Sequence, residues 1–166
     1  GLPKEKIYFV GNVMIDTLLA NKAQADQSPI LNELRLSPQQ YALLTLHRPS
    51  NVDERETFLR ILDALGEIQT QLPIVFPVHP RTQKCIDALG LTHRIAALTN
   101  LRLIEPLGYV DFLKLLAEAK LVLTDSGGIQ EETTILKVPC LTLRETTERP
   151  ITVQQGTNVV VGTNPA

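Results

Sequence analysis

Residues 121–132 read LVLTDSGGIQEE, and this stretch decides the fold. Leu121–Thr124 is a short apolar run, typical of a strand that is buried on both faces of a parallel sheet. Asp125–Gly128 has the composition of a tight turn, and a helical pattern begins near Ile129. A buried strand, a glycine turn and a helix in this order predict one βα unit of a doubly wound sheet.

Similar apolar runs recur along the whole chain and alternate with helical patterns. Helical stripes lie in Asp53–Leu72, in Tyr109–Ala119 and around Met14–Leu19, and Ala23–Pro29 looks like a polar connector. Asp53, with Glu56 three residues later, resembles a capping box. The predicted strands are Ile7–Val10, Tyr41–Leu46, Pro73–Val78, Leu101–Ile104, Leu121–Thr124, Val138–Leu143 and Asn158–Val161.

This alternation predicts one α/β domain over residues 1–166, a doubly wound parallel sheet of the Rossmann-like kind. We expect the six central strands in the order 3-2-1-4-5-6, with the ligand crevice between the strand that ends at His47 and Leu121–Thr124. The chain stops at Gly162–Ala166 without a closing helix, which suggests a piece of a longer protein.

Composition narrows the class of function. Of 166 residues, 43% are hydrophobic and 20% charged, so a packed core is expected. The net charge of −2 argues against a nucleic-acid platform. No apolar run reaches the roughly 20 residues of a membrane span, and no signal-peptide pattern opens the chain. Cys85 and Cys140 lie in apolar stretches, and we expect buried free thiols in a cytoplasmic protein, without disulfide or metal.

Polar residues gather after the predicted strands, where ligands of open α/β sheets bind. Glycines after Leu121–Thr124 let a ligand approach the backbone, and the unpaired first-turn N–H groups and helix dipole suit a phosphate. The alternative is a plain βα turn with Ser126 as N-cap. The residues that follow the strands are His47, Arg48, His79, Glu105, Asp125, Ser126, Gly127, Gly128, Arg144, Glu145, Glu148 and Arg149.

Several of these side chains allow two interpretations. Glu132 leans toward Gly128, where it either compensates the helix dipole or accepts hydrogen bonds from a ribose diol. His47 and His79 are either core residues or joint cleft residues. Arg144 and Arg149 either clamp phosphate or are solvated. Phe112 lies on the apolar stripe of its helix, which alone indicates core packing.

Five motifs together resemble the C-terminal domain of the non-hydrolysing UDP-N-acetylglucosamine 2-epimerases. The match runs over essentially the whole chain, and the fourth and fifth motifs are the most specific. They are GNVMID at 11–16, HRPSNVD at 47–53, PVHP at 77–80, DSGGIQEE at 125–132 and TTERP at 146–150.

The resemblance implies one lobe of a GT-B-like fold, with the N-terminal lobe absent, and a homodimeric parent in polysaccharide biosynthesis. It implies that UDP-GlcNAc and UDP-ManNAc interconvert without a cofactor, by elimination of UDP and its re-addition. The C2 base would come from the absent lobe. Within this chain, the resemblance implies substrate-binding roles for Arg48, His79, Phe112, Ser126, Gly127, Gly128, Glu132, Arg144 and Arg149, and a catalytic role for His47.

In this scheme Ser126–Gly128 hold the diphosphate, Glu132 takes the ribose, and Phe112 lies against uracil. His47 stands at the sugar–phosphate junction, and Arg48 and His79 line the same cleft or a second, regulatory site. Ser50 departs from the family pattern, which usually has Glu there.

Other functions remain open at this stage. The hydrolysing relatives share the same nucleotide site. A non-catalytic UDP-sugar-binding module would lack the second lobe. A GT-B glycosyltransferase donor domain is disfavoured by the TTERP motif.

Overall fold

The fold, described for residues 2–164 in a computed structural model, is built on one six-stranded sheet. All neighbouring strands are parallel, and their order β3-β2-β1-β4-β5-β6 confirms the predicted topology. The expectation that Gly162–Ala166 forms no closing helix falls partly on residues 165–166, which lie outside the described residues. The strands are β1 Ala42–Thr45, β2 Ile74–Pro77, β3 Leu101–Ile104, β4 Leu121–Thr124, β5 Cys140–Thr142 and β6 Asn158–Val160.

Helices cover both faces of this sheet, as near-continuous apolar strands require. Phe58, Ile61, Leu62 and Leu65 in the helix Arg55–Ile68 are buried, which confirms the predicted stripe. Leu115 and Leu116 in the helix Tyr109–Ala117 pack on the other face. The helices are α1 Val13–Asp26, α2 Ile30–Glu33, α3 Pro49–Val52, α4 Arg55–Ile68, α5 Pro80–Ala88, α6 Thr92–Ala96, α7 Tyr109–Ala117, α8 Gly127–Leu136 and α9 Pro150–Gln154. None of them, over residues 2–164, is long and apolar enough to cross a membrane.

The first predicted strand, Ile7–Val10, is wrong. This segment is not part of the sheet, and Phe9 is 99% exposed. Its β-branched and aromatic residues favour a strand locally, but among residues 2–164 no neighbouring strand pairs with it. The polar connector at Ala23–Pro29 is also partly wrong, because α1 continues to Asp26.

Two further local predictions fail at residues around α4 and α5. Asp53 does not cap α4, whose N-cap is Glu54 without a side-chain hydrogen bond. The Asp53 carboxylate instead pairs with Arg81 of α5 at 2.6 Å. Cys85 is only partly buried and donates to the same carboxylate, whereas Cys140 is buried as expected, and both thiols are free.

Candidate functional site

The predicted site residues follow the carboxyl ends of parallel strands and therefore share one edge of the sheet. Thr45 and Thr124 are register partners, so β1 and β4 end at the same level. His47 follows β1, His79 follows β2, Ser126 follows β4 and Arg144 follows β5. Glu132 lies deeper, in the second turn of α8.

A buried carboxylate organises this edge. Asp125, the first residue after β4, is 0% exposed. Its carboxylate accepts the backbone N–H groups of His47 at 3.0 Å and Arg48 at 2.9 Å, and the Asn51 side-chain amide at 3.3 Å. Its Oδ1 lies 2.9 Å from Nδ1 of His47. Asp125 thereby ties the segment after β1 to the end of β4.

The two histidines and Phe112 line one shallow pocket of 280 Å³. The side chain of His47 is half exposed there, and its hydrogen bond to Asp125 raises its pKa against the effect of burial. His79 is the N-cap of α5, and its Nδ1 accepts the N–H of Arg81 at 3.2 Å. Phe112 also packs on the core beneath the pocket, so core contact and pocket lining coexist in one side chain.

The N-terminus of α8 opens at the same edge. Ser126 is its N-cap residue but makes no side-chain capping bond. The Cβ that a side chain at Gly127 would add lies 3.2 Å from Glu148 Oε1. At Gly128 an added Cβ would lie 2.6 Å from Met14 Cε, so this glycine makes room for α1. Glu148 thus lies beside the first residue of α8, and Met14 lies beside the second.

Glu148 holds two arginines beside this helix end. Its Oε1 accepts from Arg48 at 2.5 Å, and its Oε2 accepts from Arg144. The backbone N–H of Glu148 and then these guanidinium groups lower the pKa of its carboxyl to about 2. Arg144, the predicted phosphate clamp, is thus ion-paired with Glu148, and its side chain is 14% exposed.

Glu132 and Arg149 each contact a protein side chain that the glycine turn at Asp125–Gly128 does not predict. Glu132 is 5% exposed, and its Oε1 accepts from the hydroxyl of Tyr109 at 3.0 Å. Burial raises the pKa of this carboxyl, while the Tyr109 bond opposes that rise. Arg149 Nε lies 3.2 Å from Glu131, which also accepts from Asn12, so this arginine faces α8 and α1.

Ser50 lines a second, polar pocket of 260 Å³ together with Arg48 and Arg144. Glu145 contributes a carboxylate there, and Thr57, Thr146 and Thr163 contribute hydroxyls. Among residues 2–164, no group of three or more His, Cys, Asp and Glu is placed to hold a metal ion.

The sequence places Asp125 and Glu148 at this edge but predicts neither their partners nor the contribution of Tyr109. Asp125 ends a buried strand next to the one that leads to His47, and this adjacency follows from the predicted strand order. The contact of Tyr109 with Glu132 joins two helices after β3 and β4, and no local pattern encodes it. The contact of Glu148 with Arg48 spans 100 residues and depends on how two loops fold.

The chain is similar in sequence to known sugar-nucleotide epimerases. The family model described as UDP-N-acetylglucosamine 2-epimerase matches residues 1–166. A UDP-N-acetylglucosamine 2-epimerase of Methanocaldococcus jannaschii is 43% identical over 169 residues, covering 99% of this chain and 46% of that protein. A UDP-2,3-diacetamido-2,3-dideoxy-D-glucuronate 2-epimerase of Pseudomonas aeruginosa is 42% identical, covering 95% of this chain and 42% of that protein.

The crystal structure of the M. jannaschii UDP-GlcNAc 2-epimerase in complex with UDP-GlcNAc and UDP superposes with a TM-score of 0.90. It is 42% identical, and the match covers 98% of this chain and 46% of that one. The chain thus spans about half the length of the curated relatives it matches.

Proposed function

The chain belongs to the UDP-N-acetylglucosamine 2-epimerase family, and from this premise we propose that it is the UDP-binding lobe of an enzyme that interconverts UDP-GlcNAc and UDP-ManNAc. One observation carries the proposal: the uncapped N-terminus of α8 opens at the same sheet edge as His47. A helix N-terminus with unpaired N–H groups binds phosphate, and donors beside it stabilise charge on a leaving diphosphate.

The nucleotide is proposed to lie across the carboxyl ends of β1 and β4. Ser126, Gly127 and Gly128 hold the diphosphate at the α8 dipole, where the uncapped helix end supports this role. Phe112 offers its ring to uracil from the pocket that it shares with His47. His47 faces the bond that breaks when UDP departs.

Glu132 is proposed to accept the ribose hydroxyls. Burial disfavours its ionised form, so hydrogen-bond donors at this carboxylate are favourable, and Tyr109 already supplies one. A ribose diol would supply two more. We expect Glu132→Gln to weaken binding of UDP more than that of 2′,3′-dideoxy-UDP. Equal losses for both ligands, measured by calorimetry, would remove the ribose role.

The arginines and His79 are proposed to complete the site around the diphosphate and the sugar. The carboxylate of Glu148 lies beside Gly127 and pairs with both Arg48 and Arg144, which supports contact of these arginines with the diphosphate or the sugar. Arg149 is proposed to act through its pairing with Glu131 on α8. His79 is proposed to line the cleft, or a regulatory nucleotide-sugar site, through the ring nitrogen that does not cap α5.

The second lobe of the proposed enzyme would supply the groups that act at C2. Proton removal there needs a positioned base, and three carboxylates of this edge are already engaged or enclosed. Asp125 and Glu132 are buried, and Glu148 is paired with two arginines. We therefore propose a two-lobe parent. The family resemblance implies that this parent is a homodimer that works in the cytoplasm, in polysaccharide biosynthesis. Free cysteines support the cytoplasmic assignment.

The relatives differ in the sugar of the substrate for which they are named. The P. aeruginosa relative is named for a glucuronate derivative and is as similar to this chain as the first. The pocket around Ser50, with Arg48 and Arg144, supports a second candidate substrate that carries a carboxylate on its sugar. Hydrolytic release of the sugar remains the alternative chemistry, because it uses the same nucleotide site.

Two measurements test the proposal. The chain alone should bind UDP with a Kd of roughly 0.1–10 mM, about −3 to −5.5 kcal/mol, because one wall of the cleft is missing. In D₂O with UDP-GlcNAc it should exchange no proton at C2, since acid–base groups typically contribute about 10²–10⁴-fold each. Adding the remaining half of the parent protein should restore exchange. Absence of UDP binding at 10 mM, or C2 exchange by this chain at the rate of a full-length relative, contradicts the proposal.

A further inference from the structure

The contacts of Asp125 assign it a role beyond the fold. Its carboxylate is fully buried and receives three neutral donors, the N–H groups of His47 and Arg48 and the amide of Asn51. A buried carboxylate without a counter-charge is costly, and hydrogen bonds alone offset only part of that cost. The fourth contact, Nδ1 of His47 at 2.9 Å, can place a positive charge directly on the carboxylate, whereas the Arg48 guanidinium donates to the backbone carbonyl of Asp125 at 3.0 Å.

Asp125 also determines which ring nitrogen of His47 can face a ligand. Because Nδ1 donates to the carboxylate, Nε2 is the nitrogen left for the pocket that His47 shares with His79 and Phe112. The side chain is half exposed, so Nε2 can reach a ligand there without breaking the contact to Asp125. A carboxylate that holds one nitrogen of a histidine fixes the ring's orientation and stabilises its protonated form.

The other charged groups around His47 oppose protonation, which makes Asp125 decisive. Arg48, from the same loop, and Arg81, from α5, both lower the pKa of His47. Arg81 is itself paired with Asp53, which offsets its charge. His79 lies across the pocket and uses its Nδ1 to cap α5. The hydrogen bond that His47 donates to Asp125 has the largest influence on the pKa of His47, and it raises this pKa.

We propose that Asp125 is a positioning residue that holds His47 as an imidazolium whose Nε2–H points at the departing diphosphate. Asp125 itself touches no substrate; it acts through His47. The inference rests on the proposed function, since the diphosphate is the anion that Nε2–H would meet. It predicts that UDP binding is strongest while His47 is protonated and weakens as the pH rises through its raised pKa.

The test combines two readouts on the 166-residue chain. The first is the ¹⁵N spectrum of the histidine rings, in which the His47 signals are identified by their loss in His47→Gln. The second is the affinity for UDP as a function of pH. In the wild type, both nitrogens of His47 should stay protonated above the ordinary pKa of 6.5, and UDP affinity should fall over the same pH range in which His47 titrates.

Asp125→Asn keeps the shape of the side chain and removes its charge. We expect the His47 titration and the pH dependence of UDP binding to move together to lower pH, with about tenfold weaker binding at pH 7. Asp63→Asn is the matched control, because it removes a surface carboxylate that pairs with Arg94 and touches no residue of this pocket.

Each outcome decides the matter. A wild-type His47 that titrates at or below pH 6.5 overturns the inference, even if Asp125→Asn does not fold. An Asp125→Asn protein that folds but keeps the wild-type titration of His47 also overturns it. If UDP does not bind at any pH, the proposed function fails, while the ring spectra still decide whether Asp125 controls His47.

Discussion

Two turns at the same edge of the sheet, β2–α5 and β4–α8, have the same topology and opposite chemistry. In the first, His79 caps the helix with its Nδ1, and Pro80 at the first helical position has no N–H to offer. In the second, Ser126 leaves the helix uncapped, and Gly127 occupies the first position. One helix end is closed by its own chain, and the other is open to a ligand.

The same contrast holds for the two histidines, which occupy equivalent positions after β1 and β2. Nδ1 of His47 donates to a buried carboxylate, whereas Nδ1 of His79 accepts a backbone N–H. Identical residues at equivalent positions thus make different contacts, because Asp125 follows β4 beside His47, whereas a proline follows His79. Topology places the candidate residues at one edge, and in the proposed function capping chemistry decides which of them meets an anion.

The largest effect is expected when the same side chain is placed at the first position of each helix. Gly127→Val puts a branched side chain where even a Cβ lies 3.2 Å from Glu148, so it should block approach to the α8 N–H groups. We expect UDP affinity to fall about 30-fold or more, so a UDP concentration that half-saturates the wild type in an amide titration should shift the variant's spectrum very little.

Pro80→Val is the matched control in the closed turn and should leave UDP affinity within about twofold of wild type, because α5 offers no anion site. If both variants weakened UDP binding equally, the distinction between the two turns would be lost.

A smaller effect should appear in the free energy of unfolding. Here a change in the β2–α5 turn should cost more than a change in the β4–α8 turn. His79→Ala removes a capping hydrogen bond and should lower the free energy of unfolding by about 1 kcal/mol. Ser126→Ala removes a side chain that makes no capping bond and should change it by less than about 0.5 kcal/mol. Urea denaturation of the two variants measures the difference. A larger loss for Ser126→Ala would show that α8 is capped after all.

The smallest expected effect is on the stability of the fold at acid pH. The pKa of Glu148, held at about 2, lies below its ordinary value of 4.5, so its pairing contributes stability above pH 4.5 that is lost as the pH falls toward 2. The pair is partly solvent-exposed, and its contribution should be below about 1 kcal/mol.

Between pH 4.5 and 2, Glu148→Gln should therefore lose slightly less stability than the wild type in urea titrations. Glu145→Gln, which alters a carboxylate bonded to Thr163, serves as the control. A steeper acid loss in Glu148→Gln than in the wild type would contradict the assigned pairing.

Much of this edge was predictable because parallel strands place their following residues together. The strand order and the positions of His47, His79 and Ser126 follow from apolar runs and glycine turns. The strand predicted at Ile7–Val10 is wrong, because β propensity depends only on local residue types. It does not register whether a neighbouring strand is present to pair, and among residues 2–164 none pairs with this segment.

The cap at Asp53 failed for a different reason. A carboxylate can bind a distant arginine as readily as a nearby N–H group, and Arg81 lies 28 residues away in the chain. The contact of Asp125 with His47 spans 78 residues, and it becomes visible only when the neighbouring strands are known.

The most direct test of the account is a titration of the ¹⁵N-labelled chain with UDP, followed by amide spectra of both turns. We predict that the largest shifts fall on Ser126, Gly127 and Gly128, with Arg81 and Thr82 in the closed turn almost unchanged. Unchanged amides at Ser126–Gly128, or equal shifts in the two turns, would contradict the claim that the open end of α8 holds the diphosphate.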